Sequence, residues 1–578
     1  MSTDQVREEG LEGHIPSSKE DALQEDSSNS SATLQIEERE AGAQDDEKQY
    51  PEGLKLGLII LALCLAVFLL ALDNSIITTA IPKITDEFHS LDDVGWYGSS
   101  YLLTTAALQL LFGKFYTNWN IKWVFLTSIA IFEIGSVICG AAPTSTALII
   151  GRAIAGIGSA GIFSGALLIL GYSTPLVKRP TYIGLVGGMY GIASIAGPLL
   201  GGVFTDKVTW RLCFYINLPV GAITVVVILF FFKSPKQELP HHDSIHDLIM
   251  SFDPVGTALF LPAIIALLLA LQWGGTKYSW GSGPVVGLLL VFGFLILAFC
   301  YVQYKQKDNA TVPFRIISNR SIWTGCWYGF CAGATFFLMM YYVPLWFQAV
   351  QGTSAVGSGV HNLPMLITTI LTSIFAGGMV TKVGYYTPFM IVATVLMSIG
   401  AGMISTWEVH TSSTAWIGYQ ILFSLGYGMG SRQPLVAVQA ALDTKDVPIG
   451  TSAVMLLQTL GGAVFVSIAQ SVFSNELAQD IRERLPSLNP AIVLNAGATN
   501  LRNTLSKDLL PGVILAYNKA LTKTFLVAAC MAALSIVGSL FMPWKSVKTE
   551  QKPAENQDDL EANQEKAVEI QEKPEHKD

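Results

Sequence analysis

Apolar residues in this chain are gathered into long blocks, and polar residues are confined to the links between them. Fourteen blocks stand out, at about 56–80, 94–113, 122–142, 147–170, 181–204, 212–232, 254–272, 283–304, 322–347, 359–381, 386–407, 414–438, 449–473 and 520–542. Most run about 18–25 residues, the length a helix rising about 1.5 Å per residue needs to cross a hydrocarbon core about 30 Å thick. The pattern predicts an all-α polytopic membrane protein with fourteen transmembrane helices. An even number of crossings returns the C-terminus to the side of the N-terminus. The links are short except at 233–253 and 474–518.

Composition agrees. Half of the 578 residues are hydrophobic and 14% are charged, against about 25% charged in a soluble chain. The net charge of −9 belongs to the ends. Residues 1–53 carry −11 and residues 545–578 carry −4, which leaves about +6 for the region between. Both tails are polar and poor in aromatics, so both are expected to be disordered and solvated. Lys and Arg set the orientation. With the N-terminus inside, the cytoplasmic links carry Lys114, Lys122, Lys178, Arg179, Lys382 and Lys445. Both termini are therefore expected to be cytoplasmic; the membrane expected is the plasma membrane, or alternatively the vacuolar membrane. Seven cysteines lie almost all within apolar blocks, without a C-x-x-C pair. They read as small buried hydrophobes, and no metal or cofactor is expected.

Three ionisable residues are out of place. Asp73, Glu133 and Arg152 are the charged residues within the runs 56–80, 124–142 and 147–170. A charge at the centre of a membrane helix costs roughly 2.5–3.5 kcal/mol on insertion scales. Counting along each span at about 1.5 Å per residue puts all three at a shared depth, roughly 8–14 Å below the outer surface. One reading is a carboxylate that binds a proton while Arg152 tunes it. A static pair holding helices together is another, and a snorkelling Arg152 is a third.

Glycine marks two further places. From Gly184 to Gly202, small residues recur at three- and four-residue spacing, including Gly188, Gly191, Gly197, Gly201 and Gly202. Such a face permits close helix approach, and Pro198 inside it permits a kink. The combination predicts a bend or seal in a moving helix. A second run, Gly426, Gly428 and Gly430 followed by Arg432 and Pro434, lies near an inner end, where Arg432 is expected to snorkel to the interface.

The segments Leu72-Asp73-Asn74-Ser75-Ile76-Ile77 through Ala80-Ile81-Pro82, Gly151-Arg152-Ala153-Ile154-Ala155-Gly156-Ile157-Gly158, Gly188 to Gly202, and Ile216-Asn217-Leu218-Pro219 together resemble the fourteen-span drug:proton antiporters of the major facilitator superfamily. The resemblance covers roughly residues 55–545. It implies that Arg152 takes part in proton transfer and that the Gly188–Gly202 stretch is the motif typical of exporters. Val343 through Gly352, and Gly450-Thr451 through Gln458 with Gly461-Gly462, are similar to fungal members that expel toxins and secondary metabolites. The 114–122 link departs from the superfamily pattern. Thr117 stands at the usual acidic position, and Lys122 stands nearly alone.

The implied architecture is a major facilitator fold with two six-helix halves plus two inserted helices. Residues 1–53 form a cytoplasmic tail and 54–232 the first half. Residues 233–304 hold a connector and the inserted pair. Residues 305–543 form the second half, with an extracellular loop at 474–518, and 544–578 a second tail. A chamber between the halves would draw on Phe336, Phe337, Tyr341, Trp346, Gln348 and Gln458, aromatic and polar residues suited to bulky ligands. No phosphate-binding G-x-x-x-x-G-K-[ST] loop, H-E-x-x-H helix or nucleophile elbow is present, which argues against an ATP-driven pump and against an enzyme. The function expected is proton-coupled efflux of a toxin, drug or secondary metabolite by a monomer in the lipid bilayer. Its partners are protons and a small-molecule substrate, and nucleic acid is not among them. The alternatives are an importer of a nutrient or iron chelate and a transporter-like sensor.

Overall fold

The computed structural model describes residues 50–90, 93–234, 244–275, 277–486, 488–490, 492–493, 506 and 508–548. Among these, fourteen helices of fifteen residues or more follow one another. The first six are α1 (Gly53–Phe88), α2 (Val94–Asn118), α3 (Ile121–Ala141), α4 (Ser145–Ser173), α5 (Arg179–Lys207) and α6 (Asn217–Phe231). Then come α7 (Pro254–Trp273), α8 (Gly283–Gln306), α9 (Arg320–Ala349), α10 (Leu363–Val383), α11 (Thr387–Ile404), α12 (Ser413–Gly430), α13 (Val447–Arg484) and α14 (Leu510–Leu540). Caps fix several starts: Asn120 accepts from the Lys122 amide at 3.0 Å, and Asn319 from the Ser321 amide at 3.0 Å.

Twelve helical stretches among the described residues are long and apolar enough to cross a membrane. The other two long helices, α2 and α12, carry a different composition. α2 holds Ser99, Ser100, Thr104, Thr105, Gln109 and Lys114. α12 is thinned by Gly418, Gly426, Gly428 and Gly430. Both pack along other helices, α2 against α4 and α13, and α12 against α10 and α11. A helix lined by protein does not need a lipid-like surface all round.

The early helices pack among themselves, α1 on α5 and α6, and α4 on α2 and α3. The late ones do likewise, α9 on α13 and α14, and α11 on α12 and α14. The most extensive contacts between the groups are α5 with α10 and α2 with α13. α7 and α8 form a pair that leans on α2 and α13 through α7. That pair is tied down by the buried Asp253, which caps α7. Its Oδ1 accepts from the Gly256 amide at 2.7 Å. Its Oδ2 accepts from Gln303 at 2.5 Å, and from the Thr311 amide at 3.0 Å and hydroxyl at 2.7 Å. A buried carboxylate so fully satisfied holds its surroundings rather than straining them. Lys114 of α2 joins this region by donating to the Asn309 carbonyl at 3.2 Å.

Four expectations need correcting. The segment 474–518 is not one long loop, because α13 continues to Arg484 and α14 begins at Leu510. Asp480 accepts from Arg484 at 2.5 Å and from Lys519 at 2.6 Å, which braces the two helices beyond their apolar parts. The expected span 414–438 is broken into α12 and a short helix, Gln433–Ala441, with Arg432 at the break and Pro434 beginning the second piece. Residues 544–548 are docked rather than part of a loose tail: the Val547 amide donates to the Gly384 carbonyl at 2.8 Å, and Lys548 to the Lys382 carbonyl at 2.6 Å. α1 starts at Gly53, inside the expected tail. Residues 1–49 and 549–578 of the expected tails lie outside the described residues.

Candidate functional site: a buried charge cluster beside a cavity

α1 brings Asp73 and α4 brings Arg152 into a fully buried ion pair through Oδ2 and Nη1. Neither side chain snorkels. Arg152 Nε donates to the Tyr97 carbonyl of α2 at 2.8 Å, and its guanidinium lies 4.5 Å from the centre of the Tyr101 ring. Asn217, the first residue of α6, donates to Asp73 Oδ1 at 3.2 Å and to Ser136 of α3 at 3.1 Å. Asp73 therefore has a counter-charge and an amide donor, and Arg152 Nη2 is left without a hydrogen-bond partner.

Glu133 differs. It sits on α3 about one turn before Ser136, which shares Asn217 with Asp73. Both of its oxygens are buried, and neither has a hydrogen-bond partner. They rest against Gly221 of α6, where a β-carbon would overlap the carboxylate. Two acidic groups thus share one neighbourhood with opposite surroundings: one compensated, one bare. A bare buried charge is costly, and a proton removes the cost.

The Tyr97 hydroxyl continues the polar chain outward, to Ser90 at 2.6 Å and Ser145 at 2.8 Å, and Ser145 donates to Asp93 at 2.5 Å. At the same end Glu87 accepts from the Trp210 indole at 2.6 Å and from Arg211 at 3.0 Å, and Arg211 also donates to the Ala142 carbonyl at 2.9 Å. Glu87 lies beyond the apolar part of α1, and the indole and then the guanidinium hold its carboxyl below the usual carboxylate range.

On its other side Tyr101 lines a cavity of about 150 Å³ shared by the early and late helices, room for on the order of ten waters. Phe336, Phe337 and Gln458 line it, with Gly191, Tyr427 and Arg432. Tyr341, Trp346 and Gln348 do not. Tyr341 is exposed on the outside of α9. Trp346 is buried against Trp407 and donates to Asn518 at 2.7 Å. Gln348 donates to Ser358 at 2.9 Å. These three stand a turn or more above the cavity, so a shared helix was no guide to a shared chamber. Arg432 corrects the snorkelling expectation: its side chain lies against Gly187 of α5, at the cavity wall.

The glycine-rich α5 has two working faces. Gly184 and Gly191 face α10, with a β-carbon on Gly184 falling 2.5 Å from the Ser373 carbonyl oxygen. Thr181 and Thr381 meet at 2.9 Å below them. Gly197 and Gly201 face α1 instead, against Ser75 and Thr79. Ser75 donates to the Ala193 carbonyl at 3.0 Å, beside the proline-interrupted turn at Pro198. Gly188 has ordinary contact distances, and Gly202 faces open space. Lys122, in the first turn of α3, donates to the Leu229 and Phe232 carbonyls at 2.7 and 2.9 Å and so closes the C-terminal end of α6.

Sequence comparison places this geometry among known proteins. The family model described as Major Facilitator Superfamily matches residues 63–466. The "MFS-type efflux pump MFS1" of Trichophyton rubrum is 57% identical over 496 residues, covering 86% of this chain and 92% of that one. The "Aspyridones efflux protein" of Neocamarosporium betae is 53% identical, with coverages of 86% and 89%. The "Efflux pump aflT" of Aspergillus parasiticus is 49% identical, with coverages of 86% and 97%. Among solved structures, the proton:xylose symporter XylE matches with a TM-score of 0.55 at 14% identity, covering 86% of this chain and 97% of that one. It shows the same fold.

Proposed function

The chain belongs to the Major Facilitator Superfamily, and from that membership we propose that it is a proton-coupled efflux antiporter. Its cargo is a toxin, drug or fungal secondary metabolite, exported across the plasma membrane. The carrying observation is the contrast between Asp73, compensated by Arg152 and Asn217, and Glu133, whose buried oxygens have no partner. Relatives 49–57% identical over nearly their whole length bear the names of efflux pumps, which supports the outward direction.

Glu133 takes the proton that enters from outside, and the Asp73–Arg152 pair responds to the loss of the neighbouring charge. Tyr101 touches both that pair and the cavity, so a change at the pair reaches the cargo directly. The α5–α10 seam, from Thr181 and Thr381 through Gly184 to Gly191, closes the route to the cytoplasm in this state. Cargo enters when it parts. A proton descending its gradient contributes about 2.3 kcal/mol per 100 mV of membrane potential, plus the pH term.

In this reading the chain crosses the bilayer fourteen times as a monomer, α2 and α12 being the two less apolar crossings, with both termini cytoplasmic. Its plan is six helices, the inserted pair α7 and α8, and six more. Purified protein in liposomes tests the coupling. Extrusion of a fluorescent cargo should follow an imposed pH gradient and stop when a protonophore collapses it. Extrusion at an unchanged rate after collapse would exclude proton coupling.

A further inference from the structure

The cavity has a polarity that the export reading leaves unused. Of the side chains lining it, Arg432 alone is charged, and no carboxylate faces it there. Among the described residues its guanidinium has neither an ion-pair nor a hydrogen-bond partner. Beside it lie the Phe163 ring of α4, with the ring centre 5.6 Å from the guanidinium carbon, and Gly187 of α5. Gly187 is a cradle: a β-carbon there would come within 2.5 Å of Nε. The backbone leaves room for the cation at this spot, at the break between α12 and the Gln433–Ala441 helix, rather than sending it toward a membrane surface.

A cation held among rings and neutral polar groups lacks the counter-charge that intramembrane charges ordinarily have. Arginine presents a planar fork that fits a carboxylate or enolate with two hydrogen bonds. Next along α12, Tyr427 stacks on Phe336 of α9, ring centres 4.3 Å apart and planes within 9°. Phe337 and Tyr101 add further rings to the lining of the cavity.

We propose that the cargo is an aromatic organic anion whose carboxylate or enolate is received by Arg432 while its rings lie along the Phe336–Tyr427 wall. The inference rests on the proposed function only in placing cargo in this cavity; it needs neither the protons nor the direction.

The test is equilibrium binding in detergent, at a pH where the acids are ionised. The probes are benzoate, 2-naphthoate and anthracene-2-carboxylate, each against its methyl ester and its aminomethyl analogue. At least one acid should bind the wild-type protein tenfold or more tightly than its ester, with the cationic analogue weakest. Arg432→Gln should bring acid and ester to within about twofold, and Arg432→Lys should restore part of the preference. Equal binding of acid and ester by wild type, preference for the cation, or no binding of any acid overturns the proposal. So does a preference that survives Arg432→Gln. Proton-driven extrusion without the acid preference removes this inference and leaves the export reading. Acid preference without proton-driven extrusion does the reverse.

Discussion

Glu133 of α3 rests against Gly221 of α6 so closely that a β-carbon at Gly221 would occupy the space of the carboxylate. Its two oxygens have no hydrogen-bond partner. Glu133→Gln therefore removes an uncompensated charge and should fold normally while extrusion loses its dependence on external pH. Gly221→Ala should displace the carboxylate and shift the pH midpoint without removing the group. Asp73→Asn should behave differently, because it strands a buried Arg152. Losing one partner of a buried pair costs about 3–5 kcal/mol, so a fall in thermal stability in detergent is expected there and not in Glu133→Gln. A stable, fully pH-dependent Glu133→Gln protein would move the proton elsewhere.

Two adjacent glycines should part company. A β-carbon at Gly201 falls 2.7 Å from the Ile76 carbonyl oxygen, whereas Gly202 faces open space. Gly201→Ala is expected to cost about 1–3 kcal/mol by overpacking. Gly202→Ala should be neutral, or gain up to about 1 kcal/mol from helix propensity. Thermal unfolding of the two purified variants decides it, and equal losses would mean that α1 and α5 are not held as described.

The seam can be locked. The Thr181 and Thr381 hydroxyls lie 2.9 Å apart across α5 and α10. A Thr181→Cys/Thr381→Cys protein should form a reducible crosslink on mild oxidation, and extrusion should stop until reductant is added. Each single variant should be unaffected. A crosslinked protein that still extrudes would show that the seam need not part.

Acid should loosen the outer clamp. The indole of Trp210 and the guanidinium of Arg211 hold the Glu87 carboxyl below its ordinary value of 4.5. A depressed folded value means the stabilisation is present above about pH 4.5 and is lost as pH falls through that lower value. Wild type should therefore be slightly more stable than Glu87→Gln at pH 7, with the gap narrowing as pH falls below 4.5. Thermal unfolding of both proteins from pH 7 downward measures this, and a gap that does not narrow on acidification would contradict it.

Most of the helices could be read from sequence, because lipid demands both length and composition. Their ends could not. α13 runs to Arg484 because backbone hydrogen bonding continues after hydropathy stops, supported there by Asp480 and its two cationic partners. Asp73, Glu133 and Arg152 stood out as charges in apolar runs. Asn217 entered only within a resembling segment, and Ser136, Tyr97 and Tyr101 complete the same cluster but are neutral, and neutral polar residues in a membrane helix are too ordinary to draw notice. Arg432 was visible, yet its role turned on a break in the helix. The available signal was Pro434, two residues on.

Asp73, Asn74 and Ser75 are consecutive on α1 and meet three different surroundings: the ion pair, the cavity wall and the α5 backbone. A substitution at Asn74 is therefore hemmed in on both sides by residues with other duties. Phe336 and Phe337 reach the cavity from α9, away from that pair. Retuning this protein for new compounds is thus better attempted through α9, while α1 forms the frame that any such variant has to keep.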